Sequence, residues 1–249
     1  MPVTKETIAL LRQYADTYET ADFIVGDPSW WMHQVEGNEN QEATAFVASC
    51  LSYGSRQQFM KRIGWLLECA DGNMDQWIRG GGFERHIHCG SDECLYRLYT
   101  HDTFNHFLKA YRHLMDTHGT LGAYVKARAH TGIEAIEAIC TYFSEQGVEQ
   151  IVPKNTLSAC KRVCMFLRWM ARNNSPVDIG LWSHFIDPRT LIMPLDTHVL
   201  QQSVRLGLLT TSTASMATAR RLTAVLAEVF PDDPLRGDFA LFGYGVNNR

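Results

Sequence analysis

The sequence has no apolar run approaching the roughly 18 residues that a bilayer-spanning helix requires, so a helical membrane span is excluded. It has no Cys-x-x-Cys pair, and its 7 cysteines are an odd number. Most of them fall inside helical patterns, where a thiol packs as a small hydrophobe. A disulfide framework is therefore not expected, in keeping with a reducing compartment. Basic residues are not in excess: 23 Lys+Arg against 27 Asp+Glu give a net charge of −4. That balance argues against a surface that coats nucleic acid indiscriminately. Internal repeats, low-complexity linkers and alternation long enough to build a sheet are also missing. The opening MPVTKETIALLRQYADTYE is amphipathic and acidic, unlike a signal or transit peptide. Together these absences predict a folded, cytoplasmic protein with no membrane partner.

What is present is helical periodicity. Of the 249 residues, 45% are hydrophobic and 20% charged, a core-forming composition. ETIALLRQYADTYE, EATAFVASCLSYGSRQQFMKRIGWLLECA, DTFNHFLKAYRHLMDTHG, GIEAIEAICTYFSEQG, LSACKRVCMFLRWMAR and TARRLTAVLAEVF each carry apolar residues at helical spacing. Turn signals separate them: Asp27-Pro28, GNENQEA, Gly80-Gly81-Gly82, NNSP and PDDP. The expected fold class is all-α, with roughly ten helices. No composition break divides residues 1–249, which read as one helical unit.

Within LSACKRVCMFLRWMAR, Cys160, Val163, Cys164, Leu167 and Ala171 form an apolar face, and Lys161, Arg168 and Arg172 fall together on the opposite one. Lys154 and Arg162 add to a stretch, 150–177, without a single Asp or Glu. Such a face is either simply solvated or suited to phosphates. Downstream, PLDTHVLQQSVRLGLL opens a second helix with Asp196 as N-cap. Lys161 and Asp196 are 35 positions apart, each at a helix start with a turn-rich stretch between them. Folding the second helix back brings an amine and a carboxylate into one cleft. A neutral lysine attacks C1′ of a nucleoside, and a carboxylate can deprotonate it and stabilise positive charge on the sugar.

These segments resemble the helix-hairpin-helix DNA glycosylases. PLDTHV…RLGLL is similar to their V-D-T-H-V-like segment, and LSACKRVCMFLRWM sits where that superfamily carries its hairpin and lysine. ASCLSYGSRQQFMKRIGWLL is similar to their L-S-x-Q-x-T helix. The matches span roughly residues 40–245 in the right order. The Lys–Asp separation is nearer the archaeal 8-oxoguanine glycosylase branch than the endonuclease III branch. The pattern CKR…FLRWM…PLD also resembles a bacterial family of unassigned function related to this superfamily.

The resemblance implies a two-lobed helical fold with a cleft between the lobes, approximately 41–171 and 1–40 plus 172–249. It implies base excision from double-stranded DNA with a damaged or abasic site, by a monomer without cofactor. Asp196 becomes the essential carboxylate and Lys161 the Schiff-base nucleophile, which also permits strand cleavage by β-elimination. Tyr53, Ser55, Arg56, Gln57 and Trp169 are the residues expected near an extruded base, because base flipping requires a wedge and a receiving pocket. Lys154, Arg162, Arg168, Arg172, Arg205 and His198 are expected at DNA; His198 alternatively orients Asp196 or bonds locally.

The sequence also departs from that pattern. The usual hairpin L-P-G-V-G corresponds to IVPKNTLSA, which has no glycine, and Gln201 replaces the first arginine after V-D-T-H-V. The four-cysteine loop of the endonuclease III branch is absent, so no iron–sulfur cluster is expected. HIHCGSDEC offers His86, His88, Cys89, Asp92 and Cys94, but the spacing fits no established zinc module, and no metal is expected. A non-catalytic nucleic-acid-binding protein retaining the glycosylase fold is the alternative consistent with the missing glycines and the net charge.

Overall fold

Apolar residues recurring every three or four positions fold nearly the whole chain into helix. A computed structural model describes residues 3–248. Along the chain run α1 (Lys5–Tyr18), α2 (Asn38–Leu51), α3 (Arg56–Cys69), α4 (Met74–Arg79), β1 (Cys94–Tyr96), β2 (Tyr99–Thr100), α5 (His101–His118), α6 (Leu121–Lys126), α7 (Gly132–Glu145), α8 (Lys161–Ala171), α9 (Thr197–Arg205), α10 (Met216–Val229) and α11 (Arg236–Asn247). The protein is all-α, and among the described residues one two-stranded antiparallel hairpin is the whole of its sheet. Among the described residues no helix is long and apolar enough to cross a membrane.

The chain divides into two compact units. The terminal unit comprises the described residues up to Val25, then His130–Ile136, and the chain from Thr156 onward; the central unit comprises Gly26–Ala129 and Glu137–Asn155. The resemblance implied lobes of 41–171 and of 1–40 plus 172–249, whereas these units divide near residues 25, 129, 136 and 155. The helix over 161–171 folds with the chain ends because its two arginines find their carboxylates there. Residues 26–40 fold with the central segment because Trp31 lies on Gly64 of α3, so closely that a β-carbon there would come within 2.7 Å of the ring.

In the terminal unit α11 lies along α1, interlocking Tyr14, Tyr18, Phe242 and Tyr244 at ring separations of 5.7 to 6.3 Å. Thr4 and Ser215 cap α1 and α10 by accepting from the amides of Thr7 and Thr218, both at 3.2 Å. In the central unit Phe46 packs against Tyr111 and Phe143 at 5.1 and 5.2 Å, with Phe107 completing the cluster. Every residue of α2 from Ala43 to Leu51 is buried, so this helix runs through that unit's core.

Candidate functional site

The start of α8 is where the terminal unit exposes its chemistry. Everything in this helix from Val163 to Ala171 is buried, so only Lys161 and Arg162, in the first turn, reach solvent. Cys160, immediately before it, takes φ 45° and ψ 35°, the left-handed conformation. A β-carbon in that conformation costs about 1–2 kcal/mol, and backbone strain of this kind concentrates at functional sites. The strained residue stands directly before Lys161, the first residue of α8.

Asp196 caps α9. Its Oδ1 accepts from the Val199 amide at 2.8 Å, which fixes the carboxylate. The other oxygen, Oδ2, lies 3.6 Å from the Lys161 Nζ, with the side chains 33% (Lys161) and 37% (Asp196) exposed. The two residues, remote in sequence, therefore share one solvent-reachable spot in the terminal unit. An ion pair this exposed contributes about 0–1 kcal/mol, so stability is a weak reason for it. Capping uses one carboxylate oxygen and leaves the other facing the amine.

The remaining expected residues distribute unevenly. His198 stands in the first turn of α9 with its ring against Gly245, where a β-carbon would come within 2.2 Å of Nε2. Arg205 is exposed at the end of α9 and donates to the Asn248 carbonyl at 3.3 Å. Lys154 is exposed in the central unit, as are Ser55, Arg56 and Gln57. Arg56 has a long contact, 3.9 Å, with Asp27.

Three expectations are corrected. Arg168 and Arg172 do not present a face to phosphates; they are 3% and 1% exposed. Arg168 Nε donates to Asp178 at 3.2 Å and its Nη1 to Asp238. Arg172 pairs bidentately with Asp233 at 2.7 to 3.0 Å and also reaches Asp178 and Glu19. Both guanidinium groups lie over the Phe239 ring, at 4.9 and 5.4 Å. Burial works against ionisation of Glu19, but Arg172 and Arg236 together outweigh it and hold its carboxyl below the usual range. At Asp178 burial prevails over Arg168 and Arg172, and its carboxyl is raised. Trp169 is the third correction: it is fully buried, with its indole N–H unpartnered among the described residues.

Tyr53 is held by a different device. The Tyr96 hydroxyl donates to the Tyr53 carbonyl, and the Tyr53 hydroxyl donates to the Tyr96 carbonyl at 3.4 Å. Burial, with the neighbouring Tyr53 phenol, pushes the Tyr96 hydroxyl up, so it stays a neutral donor. These bonds staple the β1–β2 hairpin onto the end of α2. Beside it the central unit holds a cavity of about 740 Å³, walled by Gln58, Lys61, Arg62 and Trp65 of α3 and by residues 94–97 of the hairpin. The sequence reading stopped at Gln57 and missed it. A legible signal was present: positions 58, 61, 62 and 65 occupy one helical face, and two of them are cations.

Of the metal-ligand types in HIHCGSDEC, only Cys89 joins a cluster, with Asp102 and His106 of α5, the three donor atoms lying within 4.8 Å of one another. A thiolate, a carboxylate and an imidazole suit a zinc-like ion with one open position.

A model of the family described as protein of unknown function (DUF2400) matches residues 27–247, and the chain belongs to that family. No curated protein and no solved structure matches the chain.

Proposed function

We propose that the protein is a DNA base-excision glycosylase with AP-lyase capacity, acting through Lys161 and Asp196. The observation that carries the reading is the 3.6 Å approach of a lysine amine to a capped, half-exposed carboxylate. An amine and an acid in reach of one another and of solvent meet the geometric requirement for a nucleophile with its base. Asp196 takes a proton from the Lys161 ammonium. The amine nitrogen then bonds C1′ as the C1′–base bond breaks, and the electron pair departs with the base. Ring opening gives the Schiff base, and loss of a C2′ proton expels the 3′ phosphate. Double-stranded DNA with a damaged or abasic site is the substrate, a monomer without cofactor is the acting form, and the glycosylase-like version of the all-α fold belongs to the same proposal.

Arg162, Lys154, Arg205 and His198 remain the DNA contacts of this reading. The test is base release from duplexes carrying 8-oxoguanine and other damaged bases. Wild-type protein releases a base from at least one of them, and Asp196→Asn retains DNA binding but loses release by 10²-fold or more. Equal release by Asp196→Asn would remove the carboxylate from the chemistry.

Two observations favour a second reading, non-catalytic nucleic-acid binding: IVPKNTLSA carries no glycine, and the left-handed position before α8 is filled by Cys160. In that case Asp196→Asn changes nothing measurable, and no base is released by either protein.

A further inference from the structure

We infer that the cavity between α3 and the β1–β2 hairpin is a binding site for a nucleotide unit, with the base stacked inside and its phosphate held by Lys61, Arg62 and Arg97. All these residues belong to the central unit, whereas Lys161 and Asp196 belong to the terminal one, and the inference does not rest on base excision.

The eight residues that wall the cavity include three cations and no acid, in a chain whose net charge is −4. Positive charge concentrated against that background selects an anion. The walls are also aromatic: Trp65 from α3 and Tyr96 from β1. The Arg62 guanidinium lies 4.9 Å from the centre of the Trp65 ring, so a cation and an indole stand together in the cavity wall. Gln58 adds an amide that both donates and accepts, suited to a base edge. A volume of about 740 Å³ is in the range of small-molecule sites and accommodates a nucleotide. Phosphate charge, a flat ring and edge hydrogen bonding occur together in that ligand class, and cationic grooves with stacking aromatics are how single strands are held.

Arg97 is preset for this role. It sits at the hairpin tip with φ 53°, a left-handed conformation that few residues other than glycine adopt. Its guanidinium lies 5.8 Å from the centre of the Tyr53 ring and presses on Gly54, where an added β-carbon would fall 2.7 Å from Nη1. Gly54, at φ +82°, has no side chain to stand in the way of that approach. A cation already resting on such groups loses less entropy when a ligand arrives than one free in solvent.

The experiment uses the full chain. Binding of fluorescein-labelled (dT)6, of the same strand with base-free sites, of dTMP and of inorganic phosphate is measured by anisotropy or calorimetry. Wild-type protein binds (dT)6 or dTMP, and base-free strand or phosphate at least about tenfold more weakly, because each stacked base contributes. Binding of the strand alone identifies single-stranded nucleic acid as the source; equal binding of dTMP identifies a free nucleotide. Lys61→Glu, at an exposed position that leaves the fold intact, weakens binding about tenfold or more, and Arg97→Ala does the same. Arg220→Glu, an exposed cation on α10, does not. Asp196→Asn leaves this binding unchanged, so failure here and failure of base excision are separable. Unchanged affinity in Lys61→Glu would overturn the site, and equal affinity for (dT)6 and its base-free counterpart would overturn the stacked base.

Discussion

Asp196 serves as a helix cap and as the acid beside Lys161, and the two roles separate by substitution. Asn caps a helix about as well as Asp, so Asp196→Asn changes stability by only a few tenths of a kcal/mol while removing the acid. Asp196→Ala removes both and lowers stability by about 1 kcal/mol in a denaturant titration. Equal stability loss in both variants would mean that the carboxylate charge, not the cap, supports α9. Arg172 is the opposite case, a cation whose role is wholly internal. Arg172→Ala takes one cation from each of Glu19, Asp178 and Asp233 and costs about 3–5 kcal/mol of unfolding free energy. A loss under 1 kcal/mol would show that the network is dispensable. The contrast marks what the sequence discloses at this scale. Lys161 and Asp196 are readable because each begins a helix pattern. Arg168 and Arg172 are misread because periodicity places a residue on a face without revealing what meets that face. Their partners arrive from the end of α1, from the turn after α8, and from the turn before α11 and its first residues.

At the scale of elements, long amphipathic helices are legible and short devices are not. The patterns of 218–230 and 102–119 become α10 and α5 with ends shifted by one or two residues. The pattern at 157–172 yields a helix only from Lys161, because Cys160 is left-handed and cannot continue α-helix backward. The β1–β2 hairpin escapes periodicity altogether: strands of three and two residues are too short to alternate. Yet that hairpin forms one wall of the nucleotide cavity. Close packing is likewise hidden. Gly245 of α11 admits the His198 ring, and Gly245→Ala places a β-carbon 2.2 Å from Nε2. The expected cost is about 1–3 kcal/mol, with the thermal midpoint lowered accordingly. An unaltered midpoint would mean that α9 and α11 slide apart freely.

At the scale of the whole molecule, a modest net negative charge conceals a strongly uneven distribution. Cations cluster at the cavity of the central unit and at the start of α8, while the interior of the terminal unit neutralises its own arginines. The buried network sets a pH response. The carboxyl of Glu19 is lower in the folded protein than in the unfolded chain, so its contribution is present at neutral pH and disappears as pH falls through the carboxylate range. Asp178, raised by burial, acts in the opposite sense and softens the fall. Glu19→Gln therefore flattens the decline in unfolding free energy between about pH 7 and about pH 4, measured by urea titration. An identical decline in both proteins would place the acid sensitivity elsewhere.

The identity of the amine that meets DNA is the most direct test of the central claim. Wild-type protein is incubated with a duplex containing an abasic site or 8-oxoguanine in the presence of borohydride, and the adduct is digested and mapped by mass spectrometry. The predicted result is a reduced covalent link on Lys161, absent from Lys161→Gln. An adduct on another lysine, or none with any damaged duplex, would contradict the account.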